Sequence, residues 1–390
     1  MTRIYLDHNA TAPLRPEARE AMDRVLDAPA GNPGSVHQLG HRARMAVERA
    51  REEVARLVGA GPEEIVFTGG GTEANNLAIY GAALAAAAGR GRVVTSAFEH
   101  PSVLSVVSDL EERGHEVVRV RPSRAGVVDA ARVLREADRG TVLVSLMLAN
   151  NEVGTLQPVA EIGPELNRRG ILFHCDAAQA AGKVPVDVRA LGVDLLSLAG
   201  HKLGGPQGVG VLYVRRGLVL RPHLRGGGQE LHRRPGTENV AAIAGLGAAA
   251  EAAFRGLPTE GPRVAVLRDR LEREILSRAP GARVNGAGAA RVPNTSSLAF
   301  PGLTGEALTI ALDLEGFAVS TGSACSAGTI RKSEALEAMG LPDESLSSIR
   351  VSIGPGTTEA EVDAFVEVLP AVVARLRAGA AVSVGAGTTR

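Results

Sequence analysis

The sequence has little cysteine, few aromatics and no excess charge of either sign. Its two cysteines in 390 residues, Cys175 and Cys325, cannot make a disulfide framework, and they are too few and too far apart for a cysteine-rich zinc module. The 43 basic residues balance 43 acidic ones, so the whole chain offers no field to attract nucleic acid or an acidic membrane surface. The Ala-rich stretches at 81–88 and 240–253 are interrupted by Gly or Glu. Neither reaches the roughly 18 strongly apolar residues of a membrane span, so none is expected. The opening Met1-Thr2-Arg3-Ile4-Tyr5-Leu6-Asp7 has no basic segment leading into an apolar one, which argues against a signal peptide. A cytoplasmic location follows as the expectation. There is no tryptophan, and the aromatics are seven Phe and three Tyr, yet 45% of the residues are apolar, which excludes wholesale disorder. At roughly 100–200 residues per domain, the length suggests two domains or three.

What is present is a recurring alternation. Short apolar runs at 65–67, 92–95, 116–120, 141–147, 171–175, 193–197 and 208–214 are separated by helix-patterned segments. Several runs are almost continuously apolar, as strands buried on both faces are. In 41–58, Val47, Ala50, Val54 and Leu57 share one helical face. Strand and helix in alternation predict a mostly parallel α/β sheet of seven strands. After about 254 the texture changes to a charged helical stretch at 263–279, a loop-rich 280–295, and short strands and helices beyond. This predicts a large domain over 15–254 and a smaller α+β domain built from 1–14 with 255–377. The Gly-, Ala-, Ser- and Thr-rich 378–390 has little to bury and is expected to be a mobile tail.

Five segments carry candidate chemistry. Thr68-Gly69-Gly70-Gly71-Thr72-Glu73 follows a strand and opens a helix. It reads either as a phosphate-binding cup of backbone N–H groups or as an ordinary tight turn. Asp176, in His174-Cys175-Asp176-Ala177-Ala178-Gln179, ends a buried strand, where α/β proteins bind ligands; a helix cap is the alternative. Lys202, in Gly200-His201-Lys202, follows an apolar strand. It is either a surface lysine or a desolvated amine suited to forming an imine. Cys325 sits in Ser320-Thr321-Gly322-Ser323-Ala324-Cys325-Ser326-Ala327-Gly328, small and polar surroundings that favour a nucleophile over a core thiol. Cys175, on a buried strand end, reads as a small core residue. Arg350, in an alternating strand pattern, either faces a cleft as a carboxylate-binding fork or lies on a surface edge.

Together and in this order, these segments resemble the pyridoxal-phosphate (PLP) enzymes of the class V aminotransferase family, fold type I, and among them the cysteine desulfurases. The resemblance runs from Tyr5-Leu6-Asp7-His8-Asn9-Ala10-Thr11 to about Thr358. It takes in Gly31-Asn32-Pro33, Phe67 to Leu77, Glu99-His100, Asn150-Asn151-Glu152-Val153-Gly154, Gly226-Gly227-Gly228, Pro235-Gly236-Thr237 and Ser348-Ile349-Arg350. It implies that Lys202 bonds PLP covalently and that Asp176 pairs with the pyridine nitrogen. Gln179 would meet the ring hydroxyl, His100 would stack on the ring, and Asn151 would touch ring substituents. Gly71, Thr72 and His201 would hold the phosphate, with Thr237 supplied by the partner subunit of a homodimer. Asn32 and Arg350 would hold the substrate carboxylate.

The implied reaction converts L-cysteine to L-alanine and leaves a persulfide on Cys325, with Lys202 and His100 moving protons. The sulfur would pass to an unidentified acceptor protein, for iron–sulfur clusters or thio-modification. A selenocysteine lyase or another class V PLP enzyme is the alternative. No metal, membrane or direct nucleic-acid partner is implied. Ala199 stands where many relatives carry a phosphate-binding Ser, and Gln207 where they often carry Lys. The long stretch between Cys325 and Arg350 suggests a long, mobile catalytic loop.

Overall fold

The computed structural model describes residues 3–85, 91–321 and 332–386, with no side-chain detail from 380 onward. Seven strands form the main sheet: β2 (Ile65–Thr68), β3 (Arg92–Ser96), β4 (Glu116–Val120), β5 (Thr141–Met147), β6 (Leu172–Asp176), β7 (Leu195–Ala199) and β8 (Gly210–Val214). Their order is β2-β8-β7-β6-β5-β3-β4, and β8 alone runs against its neighbours. The apolar runs read from the sequence fall on these strands within two residues. Helices cover both faces, burying Val54, Phe173 and Leu246 on one side and Leu77, Val107 and Leu195 on the other. This is why the strands lack an alternating pattern.

A second core gathers Leu6, Leu267, Leu271, Phe300, Ile349 and Phe365. It covers a small antiparallel sheet of β9 (Arg283–Val284), β10 (Thr295–Ala299) and β12 (Ser348–Ser352). Beside it, β1 (Ile4–Tyr5) pairs in parallel with β11 (Phe317–Ala318). The texture change near 254 falls inside one continuous 39-residue helix, Val240–Arg278. Ala242, Ile243, Leu246 and Ala250 pack in the first core, whereas Val264, Leu267, Leu271 and Ile275 pack in the second. Pro258 and Pro262, which cannot donate helix hydrogen bonds, lie between the two halves. By length and composition this helix could cross a membrane, but its buried residues pack in these two cores. The last helix runs from Glu359 to Ala386, through residues where the sequence reading places a tail.

One buried ion pair ties the Gln38–Val58 helix to the sheet. Arg51 donates through both Nη atoms to Glu230, each at 2.9 Å, and Glu230 also accepts from the Phe67 N–H at 2.8 Å. Glu230, Leu231 and His232 all have left-handed φ, a run that non-glycine residues avoid, so the pair holds a strained turn. Glu230→Ala removes the buried, two-pronged partner of the guanidinium and leaves it only the more exposed Glu48 at 3.3 Å and the Ile65 carbonyl at 2.7 Å. It is expected to cost about 3–5 kcal/mol, read as a fall in the denaturant midpoint.

Candidate active site

Five strands aim their following residues at one edge of the main sheet. β2 leads to Gly69-Gly70-Gly71, β3 to His100, β5 to Asn151, β6 ends at Asp176, and β7 leads to His201-Lys202. Parallel strands with a common exit edge make this the natural ligand site.

The Gly69-Gly70-Gly71 turn runs straight into the helix Gly71–Ala85. Ala74 N–H closes the first turn on Gly70 at 3.0 Å, leaving the N–H groups of Gly71 and Thr72 without helical partners. With Ala10, Thr11, His201 and Gln207 they line a cavity of about 750 Å³. Two close approaches shape it. A Cβ on Gly210 would lie 2.4 Å from the Gly70 carbonyl carbon, so β8 can underlie the turn only as glycine. A Cβ on Gly71 would lie 3.1 Å from Ala199 Cβ, which places Ala199 under the cup.

Asp176 accepts from Ala178 N–H at 2.9 Å through Oδ1 and from Asn75 Nδ2 at 2.8 Å through Oδ2. Asn75 also donates to Ser102 Oγ at 2.8 Å, and Ser102 Oγ lies 2.8 Å from His100 Nδ1. A chain of polar contacts therefore links the β6 carboxylate to His100. Burial pushes the His100 imidazole down; Asp176 opposes this and Lys202 adds to it.

Lys202 donates to the Ala10 carbonyl at 2.7 Å and to the Asn9 carbonyl. Burial first, and then the Arg350 charge, bring its amine down to about 8, against the opposing pull of Asp7 and Asp176. Such an amine is substantially uncharged at mildly alkaline pH and can act as a nucleophile. Burial also lowers His201 to about 4, with Lys202 and His100 adding to the effect. Arg350, on β12, donates to the Asn151 carbonyl at 2.9 Å and to Asp7 Oδ1 at 2.8 Å. Its Nε is buried with no partner among the described residues, leaving part of the fork for an anion.

The structure thus gathers Lys202, Asp176, His100, His201, Asn151, Gln179 and Arg350, and places Gly71 and Thr72 in the adjoining cup. Asn32 is exposed, and its Oδ1 accepts from Gly34 N–H at 2.8 Å. Thr237 is exposed too, and no described contact joins either residue to Lys202 within one chain. Cys325 lies outside the described residues, together with the rest of 322–331, whereas the remainder of the stretch read as a catalytic loop is described and holds the short helices Glu334–Ala338 and Glu344–Ser347. Cys175 is fully buried on β6, and burial, then Asp176 and Glu99, hold its thiol well above the ordinary value.

Sequence reasoning missed the residues that organise this cluster. Asn9 accepts from Lys202 and from Gln179 Nε2 (3.0 Å), and its Nδ2 donates to the Asn151 carbonyl at 3.2 Å and to Thr295 Oγ1 at 2.8 Å. Asp7, Asn9, Asn75 and Glu99 all stand inside the motifs that carry the resemblance. Glu99 is buried behind His100, and burial raises it to about 8. Ser96 and the Met147 N–H both reach Oε1, and Oε2 has no partner among the described residues, as suits a protonated carboxyl.

The sequence matches the family profile described as Aminotransferase class-V over residues 4–365. The chain belongs to the class V aminotransferase family. That family, including its cysteine desulfurases, depends on PLP. The chain is 45% identical over 379 residues to the cysteine desulfurase of Trichormus azollae, covering 97% of this chain and 94% of that protein. Among solved structures, a NifS-like protein superimposes with a TM-score of 0.90 at 34% identity, covering 96% of this chain and all of that one. Another, described as SspA in complex with cysteine, has a TM-score of 0.80 at 34% identity, over 92% of this chain and all of that one. Fold type I for this chain follows from these likenesses and from its mostly parallel seven-stranded sheet.

Proposed function

We propose that this chain is a PLP-dependent cysteine desulfurase that converts L-cysteine to L-alanine and leaves the sulfur as a persulfide on Cys325. The observation that carries the reading is the Lys202 amine, lowered to about 8 and set among Asp176, His100 and Arg350 beside an anion cup. The relatives do not favour the selenocysteine or aminotransferase alternatives.

The residues fit PLP. The Asp176 carboxylate has lone pairs left after Asn75 and Ala178 to meet a protonated pyridine nitrogen. The open N–H groups of Gly71 and Thr72, the Thr72 hydroxyl and His201 suit a phosphate at a helix N-terminus. Gln179 Nε2 and Asn151 stand beside the lysine, available to ring substituents. Bound there, the cofactor would supply an electron sink for negative charge on the substrate carbon.

The chain does the rest. Arg350 and Asn32 orient the substrate carboxylate. Lys202 Nζ takes a proton from the substrate Cα and returns one as alanine forms, with His100 as a second acid–base group. Cys325 Sγ attacks the substrate sulfur. The Sγ–S bond forms as the Cβ–S bond breaks, the electron pair stays with carbon, and that carbon takes up a proton. Ser320 pairs its backbone with Arg350 five residues before Cys325, a tether of at most about 18 Å. The sulfur then passes to an acceptor protein for iron–sulfur clusters or thio-modification.

A homodimer completes the cup. Supporting it, Thr237 is exposed and apart from the cup of its own chain, and Leu26, Val36 and Met45 leave apolar side chains exposed around the first two helices.

The test is to purify the chain with PLP and measure alanine formed from L-cysteine; wild-type protein that binds PLP and forms no alanine would sink the reading. A pH dependence follows too. Covalent capture of PLP by the apoprotein requires the uncharged Lys202 amine. Its stopped-flow rate is expected to rise with pH and level off just above about 8. An ordinary lysine would keep the rate rising to near 10.

A further inference from the structure

Of the 43 basic residues only three are lysines: Lys183, Lys202 and Lys332. Lys332 makes an ordinary ion pair with Glu337 at 3.4 Å. Lys202 is the candidate imine former. Lys183 has no part in the function just derived, yet in a chain that otherwise uses arginine it supplies an amine beside the site. It follows Gly182, whose φ of +72° and lack of a Cβ let the turn press on Leu203 and Ala253. The turn aims Nζ at two acceptors, Gln179 Oε1 at 2.7 Å and Asn9 Oδ1 at 3.1 Å. Asn9 Oδ1 is shared with Asn294 Nδ2 at 3.0 Å, and the Asn9 carbonyl receives both Gln179 Nε2 and Lys202 Nζ.

We propose that Lys183 is a positioning residue for Gln179: its Nζ captures the carboxamide oxygen, so Nε2 is the end presented beside Lys202. This deepens the PLP reading and rests on it. Gln179 Nε2 also donates to the Asn9 carbonyl at 3.0 Å, so the carboxamide is held at both ends. Without Lys183 one of the two holds is lost, and a turned carboxamide offers an oxygen, which repels an anionic ring oxygen instead of donating to it.

The choice of lysine over arginine follows from charge. An uncharged amine has two N–H donors, and the structure supplies two acceptors. A charged group here would add a third cation to Lys202 and Arg350. Burial, and then those two cations, hold Lys183 well below the ordinary amine value. His8, the other titratable group against it, is itself lowered to about 4 by burial and by Lys183, with Glu361 opposing. Arginine cannot shed its proton and so cannot serve.

The test uses the full-length chain labelled with ¹³C-lysine, read by NMR as the apoprotein and by visible absorbance after loading with PLP. Three lysines give three side-chain signals, which Lys332→Arg, Lys202→Ala and Lys183→Met assign, so the wild-type titration of Lys183 can be read even if Lys183→Met does not fold. The expected result is a Lys183 signal that titrates well below the ordinary lysine range. In the loaded protein, Lys183→Met raises the pH midpoint of the cofactor absorbance by about one unit, because the ring oxygen loses a donor. Gln179→Leu raises it equally, and the double variant raises it no further. A Lys183→Met midpoint equal to wild type, or shifts that add in the double variant, would overturn the proposal, and a Lys183 signal titrating near 10 would overturn the reason given for lysine over arginine. A wild-type protein with no visible band in excess PLP would instead defeat the cofactor reading, while the apoprotein titration still decides whether Lys183 is uncharged.

Discussion

Lys202→Ala is expected to lower alanine formation from L-cysteine by about 10⁴-fold or more and to abolish covalent capture of PLP. The size follows from the two jobs that fall on one amine. It forms the bond that holds the cofactor, and it stands where a proton must leave and return at the substrate carbon. Among the described residues none nearby can do both jobs: His100 can move a proton but cannot form the covalent bond to the cofactor. Arg350 cannot deprotonate, and Lys183 is bound to Gln179 and Asn9. Lys202→Arg should fail almost as badly, because it restores the positive charge without a nucleophilic nitrogen. The fold should survive both changes, since the Lys202 amine bonds only to backbone carbonyls of Asn9 and Ala10. The checks are absorbance after adding PLP and an alanine assay on protein whose thermal midpoint matches wild type. A Lys202→Ala protein that still turned over L-cysteine at a tenth of the wild-type rate would remove the foundation of the proposed mechanism.

Cys325→Ala is expected to have a different signature. Transfer of sulfur should fall by about 10³-fold or more, as removal of a nucleophile does elsewhere. PLP capture and its pH dependence should be unchanged, because Lys202, Asp176 and the glycine turn are intact. The contrast between the two variants separates cofactor chemistry from sulfur chemistry. Cys175→Ala is the control. That thiol is fully buried and held well above its ordinary pKa, so it is neither accessible nor ionised, and its loss should leave the rate near wild type.

Most of the main sheet could be read from the sequence because buried parallel strands have a local signature. Apolar runs such as Thr141–Met147 and Leu195–Ala199 are continuous, short and bounded by breakers. The positions of Asp176 and Lys202 followed from the same logic, since each ends or follows a strand. What escaped was everything made by chain segments meeting from afar. Asn9 meets Lys202 across 193 positions and Ser352 across 343, and Arg350 meets Asp7 across 343. No periodicity encodes such encounters. Glu99 and Asn75 escaped for another reason. Their motifs were noticed, but a carboxyl that burial keeps protonated looks in sequence like any glutamate. The texture change near 254 marked a real difference in partners, yet the helix Val240–Arg278 bridges it, because one helix can serve two cores along its length. Asn32 and Thr237 rest on the resemblance alone, and no described contact within the chain brings Thr237 to the cup.

The central claim is that sulfur from L-cysteine arrives on Cys325. Mass spectrometry of the PLP-loaded protein, mixed briefly with L-cysteine and alkylated, tests it most directly. The account predicts one added sulfur atom on the peptide containing Cys325, formed together with alanine. Alanine produced with the added sulfur on Cys175, or on no cysteine at all, would contradict it.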